Sequence, residues 1–270
     1  MVIVFGSINL DLVARVGTIP RPGETLLGTS FVTVPGGKGA NQALAARDAG
    51  AQVAMFGAVG RDAFADAALA NLVRRGVDMS GIARVAGPTG VALINVDARG
   101  ENAITVVPGA NARACASQVR DEALAHGNTV LMQLEVPIPE VVALARRARS
   151  CGARVVVNGA PAAALPADLL DNVDFLVVNE HEHAMCLAGR ASMNVVLTLG
   201  ARGAHLDWQG MRYQESPPAI DVVDTTGAGD ALCGAFAAAL DRGLPPPEAL
   251  RDAVRAGAIA CTHEGAQRAD

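Results

Sequence analysis

Short runs of apolar, β-branched residues alternate with longer Ala-rich amphipathic stretches through most of this 270-residue chain. Repeats of this kind build a parallel sheet with helices packed on its faces, so the rhythm confines the fold to a doubly wound α/β architecture. The spacing predicts strands near residues 2–6, 52–57, 128–133, 154–158, 173–178 and 194–199. Helices are predicted near 38–49, 62–75, 116–126, 138–151, 228–242 and 246–262. Gly50, Gly76 and Gly152 each follow a helical stretch, where a left-handed cap residue is wanted.

Two regions break the rhythm. Residues 10–16 with 25–34, and residues 90–107, read as strands with turns such as Ala98-Arg99-Gly100 and no helix between them. They are expected to form a small antiparallel sheet hung on the main body. No Ser/Pro linker, repeat or low-complexity tract divides the remainder, so one domain over 1–270 is expected.

Composition excludes several classes. No apolar run approaches the roughly 18 to 20 residues that a bilayer-spanning helix needs, so no membrane partner is expected. Aromatic residues make up 3% of the chain and its formal net charge is −5, which leaves neither stacking platforms nor a basic footprint for nucleic acid. The five cysteines, Cys115, Cys151, Cys186, Cys233 and Cys261, are odd in number and lack zinc-ligand spacing, as in a reducing compartment. Strand-like VIVFGS begins almost at Met1, with no charged and apolar leader pattern before it, so a cytoplasmic location is expected.

Lys38 is the single lysine beside 21 arginines, and it sits inside GGKGAN, a glycine-rich turn into a helix. An ammonium is more compact than a guanidinium and lacks its planar fork, so this position would demand the smaller charge; the alternative is a lysine left by chance in an arginine-enriched chain. The loop is not a Walker A motif, because Lys38 is followed by Gly39 rather than Ser or Thr. A second glycine-rich turn, D-T-T-G-A-G-D-A-L-C-G-A-F at 224–236, also runs into an Ala-rich helix. Free amides and the dipole at a helix start make an anion site, and Gly227, Ala228 and Gly229 leave room for a phosphoryl group. Asp230 would sit beside that site as an acceptor for the proton of an attacking hydroxyl. The alternative is that Asp230 only complements the dipole while Thr225 or Thr226 caps the helix.

The two glycine-rich segments resemble the signatures of the ribokinase (PfkB-type) family of carbohydrate kinases. The resemblance runs nearly end to end through GSINLD at 6–11, PGE at 22–24, TGVALI at 89–94, GEN at 100–102, GAN at 109–111, MQLE at 132–135, NEHE at 179–182, TLGARG at 198–203 and GAQ at 265–267. It implies a central doubly wound, mostly parallel sheet flanked by helices, with a small β-sheet lid from about 10–34 and 90–107. That lid would close over a sugar and often forms the contact of a homodimer. The implied activity is ATP-dependent phosphorylation of the O5 hydroxyl of ribose. Another kinase of the family, acting on a nucleoside, fructose or keto-deoxy sugar acid, and a non-catalytic sugar-binding relative are the alternatives.

By the same resemblance, Asn9, Asp11, Gly37, Lys38, Asn41 and Glu135 correspond to sugar contacts, and Asp230 to the catalytic base. Gly227, Ala228 and Gly229 correspond to the anion hole. Asn179 and Glu182 match residues that organise Mg²⁺ near the phosphates, and Thr198, Gly200 and Gly203 match the nucleotide loop. Asp224, the Thr226 carbonyl and the loop at Gly265 match part of a K⁺ site. The sequence also departs from the family pattern. Only 18 residues separate Asn179 from Thr198, and Asp270 follows soon after GAQ, where relatives continue into a final helix. Ala269 stands where they usually carry a serine that helps hold the cation, and Gly159 and Val178 replace usual prolines.

Overall fold

The structure is a computed structural model and describes residues 1–187 and 193–267. In chain order its elements are β1 (Val2–Phe5), β2 (Asn9–Arg15), β3 (Ser30–Gly36), α1 (Lys38–Asp48), β4 (Val53–Val59), α2 (Ala63–Arg74), β5 (Asp78–Arg84), β6 (Gly90–Val96) and β7 (Asn102–Val107). There follow β8 (Thr129–Met132), α3 (Ile138–Ser150), β9 (Arg154–Asn158), α4 (Ala167–Leu170), β10 (Phe175–Asn179), α5 (Glu180–Leu187) and β11 (Val195–Thr198). The described chain continues with β12 (Ala204–Trp208), β13 (Met211–Glu215), α6 (Ala228–Asp241) and α7 (Pro246–Ala260). Residues 188–192, inside the short crossover after Asn179, and Ala269 lie outside the described residues.

The main sheet runs β13-β12-β11-β10-β9-β8-β1-β4-β5, parallel from β11 to β5 and antiparallel only at the β12 and β13 edge. All four residues of β1 are buried, as a strand covered on both faces must be. Its side chains alternate: Val2 and Val4 enter a core with α1, α2, α6 and α7, while Ile3 and Phe5 enter a second core with α3, α4 and α5. This is the expected doubly wound α/β fold. Pro246 opens α7, where a proline's missing N–H costs nothing, and Gly50, Gly76 and Gly152 take φ of 89°, 65° and 84° just past helix ends.

A second sheet, β3-β2-β6-β7, forms from the two helix-free regions. It is mixed rather than antiparallel, because β2 and β6 run parallel from Asn9↔Gly90 to Arg15↔Val96. Residues 25–29 do not join it, since β3 begins at Ser30.

The helix expected over 116–126 is also corrected. Residues Ala116–Gln118 and Asp121–Leu124 are separate 3₁₀ turns with extended backbone between them. Gln118 turns inward and donates to the carbonyls of Gly57 and Gly81 at 2.8 and 2.9 Å. The Arg147 guanidinium takes the carbonyls of Ala116 and Val119 at 2.8 and 2.7 Å, which competes with their use in a continuous helical ladder.

Candidate active site

The carboxyl ends of β1, β8, β9, β10 and β11 point to one rim of the main sheet, where open α/β sheets bind ligands. At this rim the Gly36-Gly37 turn brings the start of α1 against the segment after β1. Gly37 has φ of 90°, and a Cβ there would lie 2.7 Å from the Asn9 amide nitrogen. Gly39 is equally constrained, with a Cβ position 2.6 Å from the Gly6 carbonyl carbon. The small residues thus let Lys38 and Asn41 approach Ser7, Asn9 and Asp11.

Polar contacts hold this arrangement. Ser7 Oγ donates to Glu135 Oε2 at 2.6 Å, and the Lys38 amide donates to the same oxygen at 3.2 Å. Asn111 accepts from the Ile8 amide at 2.9 Å and donates to Asn9 Oδ1 at 2.7 Å. Asn9 therefore offers its amide hydrogens, rather than its oxygen, to a ligand.

The charges gathered here strain one another. Burial, then the neighbouring Glu135 and Asp230 carboxylates, push the Asp11 carboxyl up to about 7. Burial alone pushes the Lys38 ammonium down, but Asp230, Glu135 and Glu182 outweigh it and hold the group above its ordinary value. A compact cation ringed by carboxylates suits hydroxyl-rich ligands that both donate and accept.

The cap of α6 is Gly227, left-handed at φ 79°, with no side chain capping the helix. Thr225 and Thr226 therefore do not cap it; Thr226 instead donates its amide and hydroxyl to Asp224 Oδ1 at 2.9 and 2.7 Å. The Gly229 and Asp230 amides have no acceptor among the described residues, which leaves the positive end of the helix open. Asp230 is buried, and both its oxygens accept amide hydrogens, from Asn41 Nδ2 at 3.0 Å and Gln42 Nε2 at 2.9 Å.

On the other side of Gly227, Asp224 Oδ2 accepts from the Gly265 amide at 2.9 Å, tying the two loops together. Burial would raise this carboxyl, but hydrogen bonds from Gly265 and Thr226 outweigh it and hold it below the usual carboxylate range.

A cavity of about 460 Å³ adjoins the α6 start. Thr198, Gly200 and Gly203 line it with Ala228 and Gly229, and its far wall is apolar, with Ile220, Val222 and Val254. A Cβ on Gly203, at φ 86°, would sit 2.0 Å from the Glu215 carbonyl oxygen, so only glycine closes this loop. Asn179 and Glu182 form a reciprocal cap on α5: the Asn179 amide donates to Glu182 Oε2 at 2.9 Å and the Glu182 amide to Asn179 Oδ1 at 2.8 Å. The cap engages Glu182 through Oε2 only, and no described residue donates to its Oε1. Among the described residues no three His, Cys, Asp or Glu side chains cluster as a metal site.

The structure thus joins Asn9, Asp11, Lys38, Asn41 and Glu135 to Asp230, and the loop of Thr198, Gly200 and Gly203 to the α6 start. Sequence reasoning missed Ser7, Gln42, Asn111, Gln133, Asn158 and Gln267. Each of these except Asn158 lies inside or beside a quoted motif, and all are buried polar residues that periodicity does not flag.

The whole chain, residues 1–270, matches the pfkB family of carbohydrate kinases. It is 37% identical over 276 residues to the ribokinase of Lactococcus lactis subsp. lactis, covering 98% of this chain and 91% of that one. It is 38% identical over 275 residues to the ribokinase of Bacillus subtilis, covering 98% and 94%. Among solved structures, Arabidopsis thaliana ribokinase complexed with ribose and ATP is similar at a TM-score of 0.88 and 30% identity, covering 98% and 93%. With the fold and nearly the full length shared, the chain belongs to the pfkB family of carbohydrate kinases.

Proposed function

We propose that this chain is an ATP-dependent ribokinase that transfers the γ-phosphoryl group of ATP to the O5 hydroxyl of ribose, giving ribose 5-phosphate. The observation that carries this reading is the Asp230 carboxylate, held between the Asn9–Glu135 polar cluster and the open start of α6. Asn41 and Gln42 occupy two of its lone-pair positions, and two remain for a hydroxyl. Asn9, Asp11, Lys38, Asn41 and the Gly37 backbone bind the sugar, and Glu135 anchors the Ser7 hydroxyl and the Lys38 backbone amide beneath it. Asp230 takes the O5 proton as O5 attacks phosphorus, and the amides around Gly227, Ala228 and Gly229 receive the charge that builds on the phosphoryl oxygens. Thr198, Gly200 and Gly203 seat the nucleotide in the adjoining cavity.

Glu182, with Asn179, is the group available to hold Mg²⁺ through its water shell, and a bound Mg²⁺ neutralises phosphate charge there. Asp224, the Thr226 carbonyl and the loop at Gly265 are the groups available for K⁺, which would fix the shape of the anion hole. The reading treats 1–270 as one kinase domain with the second sheet as a lid. Phe31 is 63% and Ile104 54% exposed on that sheet, which supports a homodimer formed through it. The kinase is assigned to the cytoplasm, and among the described residues no helix is long and apolar enough to cross a membrane.

The test is ADP release with ribose as acceptor, followed by the variant Asp230→Asn. A general base supplies about 10²–10⁴-fold, so kcat should fall by that factor while ribose still binds. The substitution also turns an acceptor into a donor facing Asn41 or Gln42, so rates are compared per folded molecule. A kcat near that of the parent chain would refute the assignment.

A further inference from the structure

Gln133 follows the end of β8 and is fully buried, yet its Oε1 has no hydrogen-bond partner. A buried orphan oxygen is costly, and native structures that keep one call for an explanation. Its carboxamide fills the space beside Gly6, where a Cβ would lie 1.8 Å from that oxygen. The other end of the amide donates through Nε2 to Gln42 Oε1 at 2.9 Å.

Gln42 is also fully buried, and its orientation is fixed by its partners. Its Nε2 donates to Asp230 Oδ1 at 2.9 Å and to Asn158 Oδ1 at 3.1 Å. Asn158 must accept there, because its own Nδ2 donates to the Val177 carbonyl at 3.1 Å. Both hydrogens of Gln42 are therefore spent, and its oxygen faces the only side from which Gln133 can donate. Gly234 makes the approach possible, since a Cβ on it would lie 2.5 Å from the Gln42 carbonyl oxygen. A second rail meets the other carboxylate oxygen: Asn71 donates to Gln267 at 2.7 Å, Gln267 to Asn41 at 2.8 Å, and Asn41 to Asp230.

We infer that Gln133 and Gln42 are positioning residues, a buried amide relay that aims the Asp230 carboxylate at the acceptor hydroxyl. The inference rests on Asp230 being the base. Gln133 acts only through Gln42, so its cost to the fold and its benefit to turnover separate.

Gln133→Met removes the orphan oxygen and the bond to Gln42 with little change in volume. The expected result is a Tm near the parent's, because the orphan on Gln133 is exchanged for an unpaired Gln42 Oε1, with an unchanged ribose Kd by calorimetry and kcat per folded molecule roughly tenfold lower. Gln42→Met should lower kcat roughly a hundredfold, on the scale that a misplaced reacting group costs. The double variant should match Gln42→Met alone, since the relay has one path. A Gln133→Met kcat within twofold of the parent's, or an effect that persists in full on top of Gln42→Met, overturns the inference and marks the amides as structural. If Asp230→Asn retains activity, the base assignment itself falls; if that variant is inactive while Gln133→Met turns over normally, only the relay does.

Discussion

Replacing Asp11 by asparagine is expected to stabilise the folded chain above pH 7 and to abolish a pH dependence of sugar binding. The Asp11 carboxyl, ordinarily at 3.8, is pushed up to about 7 by burial and by Glu135 and Asp230. Below pH 4 the folded and unfolded chains both hold the proton, and Asp11 contributes nothing. Between about 4 and 7 the unfolded chain releases it while the folded chain keeps it, so stability falls across that window and stays lower above it. At 1.36 kcal/mol per pH unit the ceiling is about 4 kcal/mol, and water at the partly exposed carboxyl reduces this to about 2 kcal/mol. Urea denaturation of both proteins at pH 4 and pH 8 measures the difference, which should be near zero at the first pH and full at the second. With Asp11 in its proposed sugar-binding role, binding runs the other way, because the ionised group would offer ribose two acceptors. A carboxyl titrating at about 7 is about a tenth ionised at pH 6 and about nine tenths at pH 8, so ribose Kd should tighten roughly tenfold between them. A flat Kd over this range, or an asparagine variant equally favoured at pH 4 and pH 8, would refute the reasoning.

Gly227→Ala forces a side chain onto a residue at φ 79° and places its Cβ 2.6 Å from Ala266 Cα, so Tm and kcat should both fall; an unchanged kcat would remove Gly227 from the anion hole. Replacing Na⁺ by K⁺ at fixed ionic strength should raise kcat, and an active enzyme indifferent to the exchange would exclude a K⁺ role for Asp224 and the loop at Gly265. Phe31→Arg should convert a sedimenting dimer to monomer if the second sheet is the contact, and an unaltered mass would place the dimer elsewhere.

Much of this molecule could be read from its sequence, for identifiable reasons. Continuous β-branched runs such as VVVN at the end of β9 and small-residue helices such as α6 follow from local pattern alone. The β12–β13 hairpin was legible too, since Gln209 and Gly210, at φ 53° and 76°, form a two-residue turn between Trp208 and Met211, yet it went unpredicted. The broken 116–126 segment was not legible, because its carbonyls are taken by Arg147, some thirty residues away. The amide relay lies deeper still. Gln42 and Gln133 are 91 positions apart and Gln42 and Asp230 188, so nothing local marks them.

Lys38, ringed by carboxylates in the polar cluster, is the only side-chain amine in the chain. An acylating reagent therefore finds a single lysine, and it is the one in the proposed sugar site. Because the surrounding charges keep it protonated, labelling will be slow at neutral pH and will quicken in alkali. If Lys38 binds the sugar as proposed, one mass increment on the peptide spanning GGKGAN reports occupancy directly, without an engineered cysteine or a radioactive substrate. Arginine enrichment has left the protein with its own built-in footprinting probe.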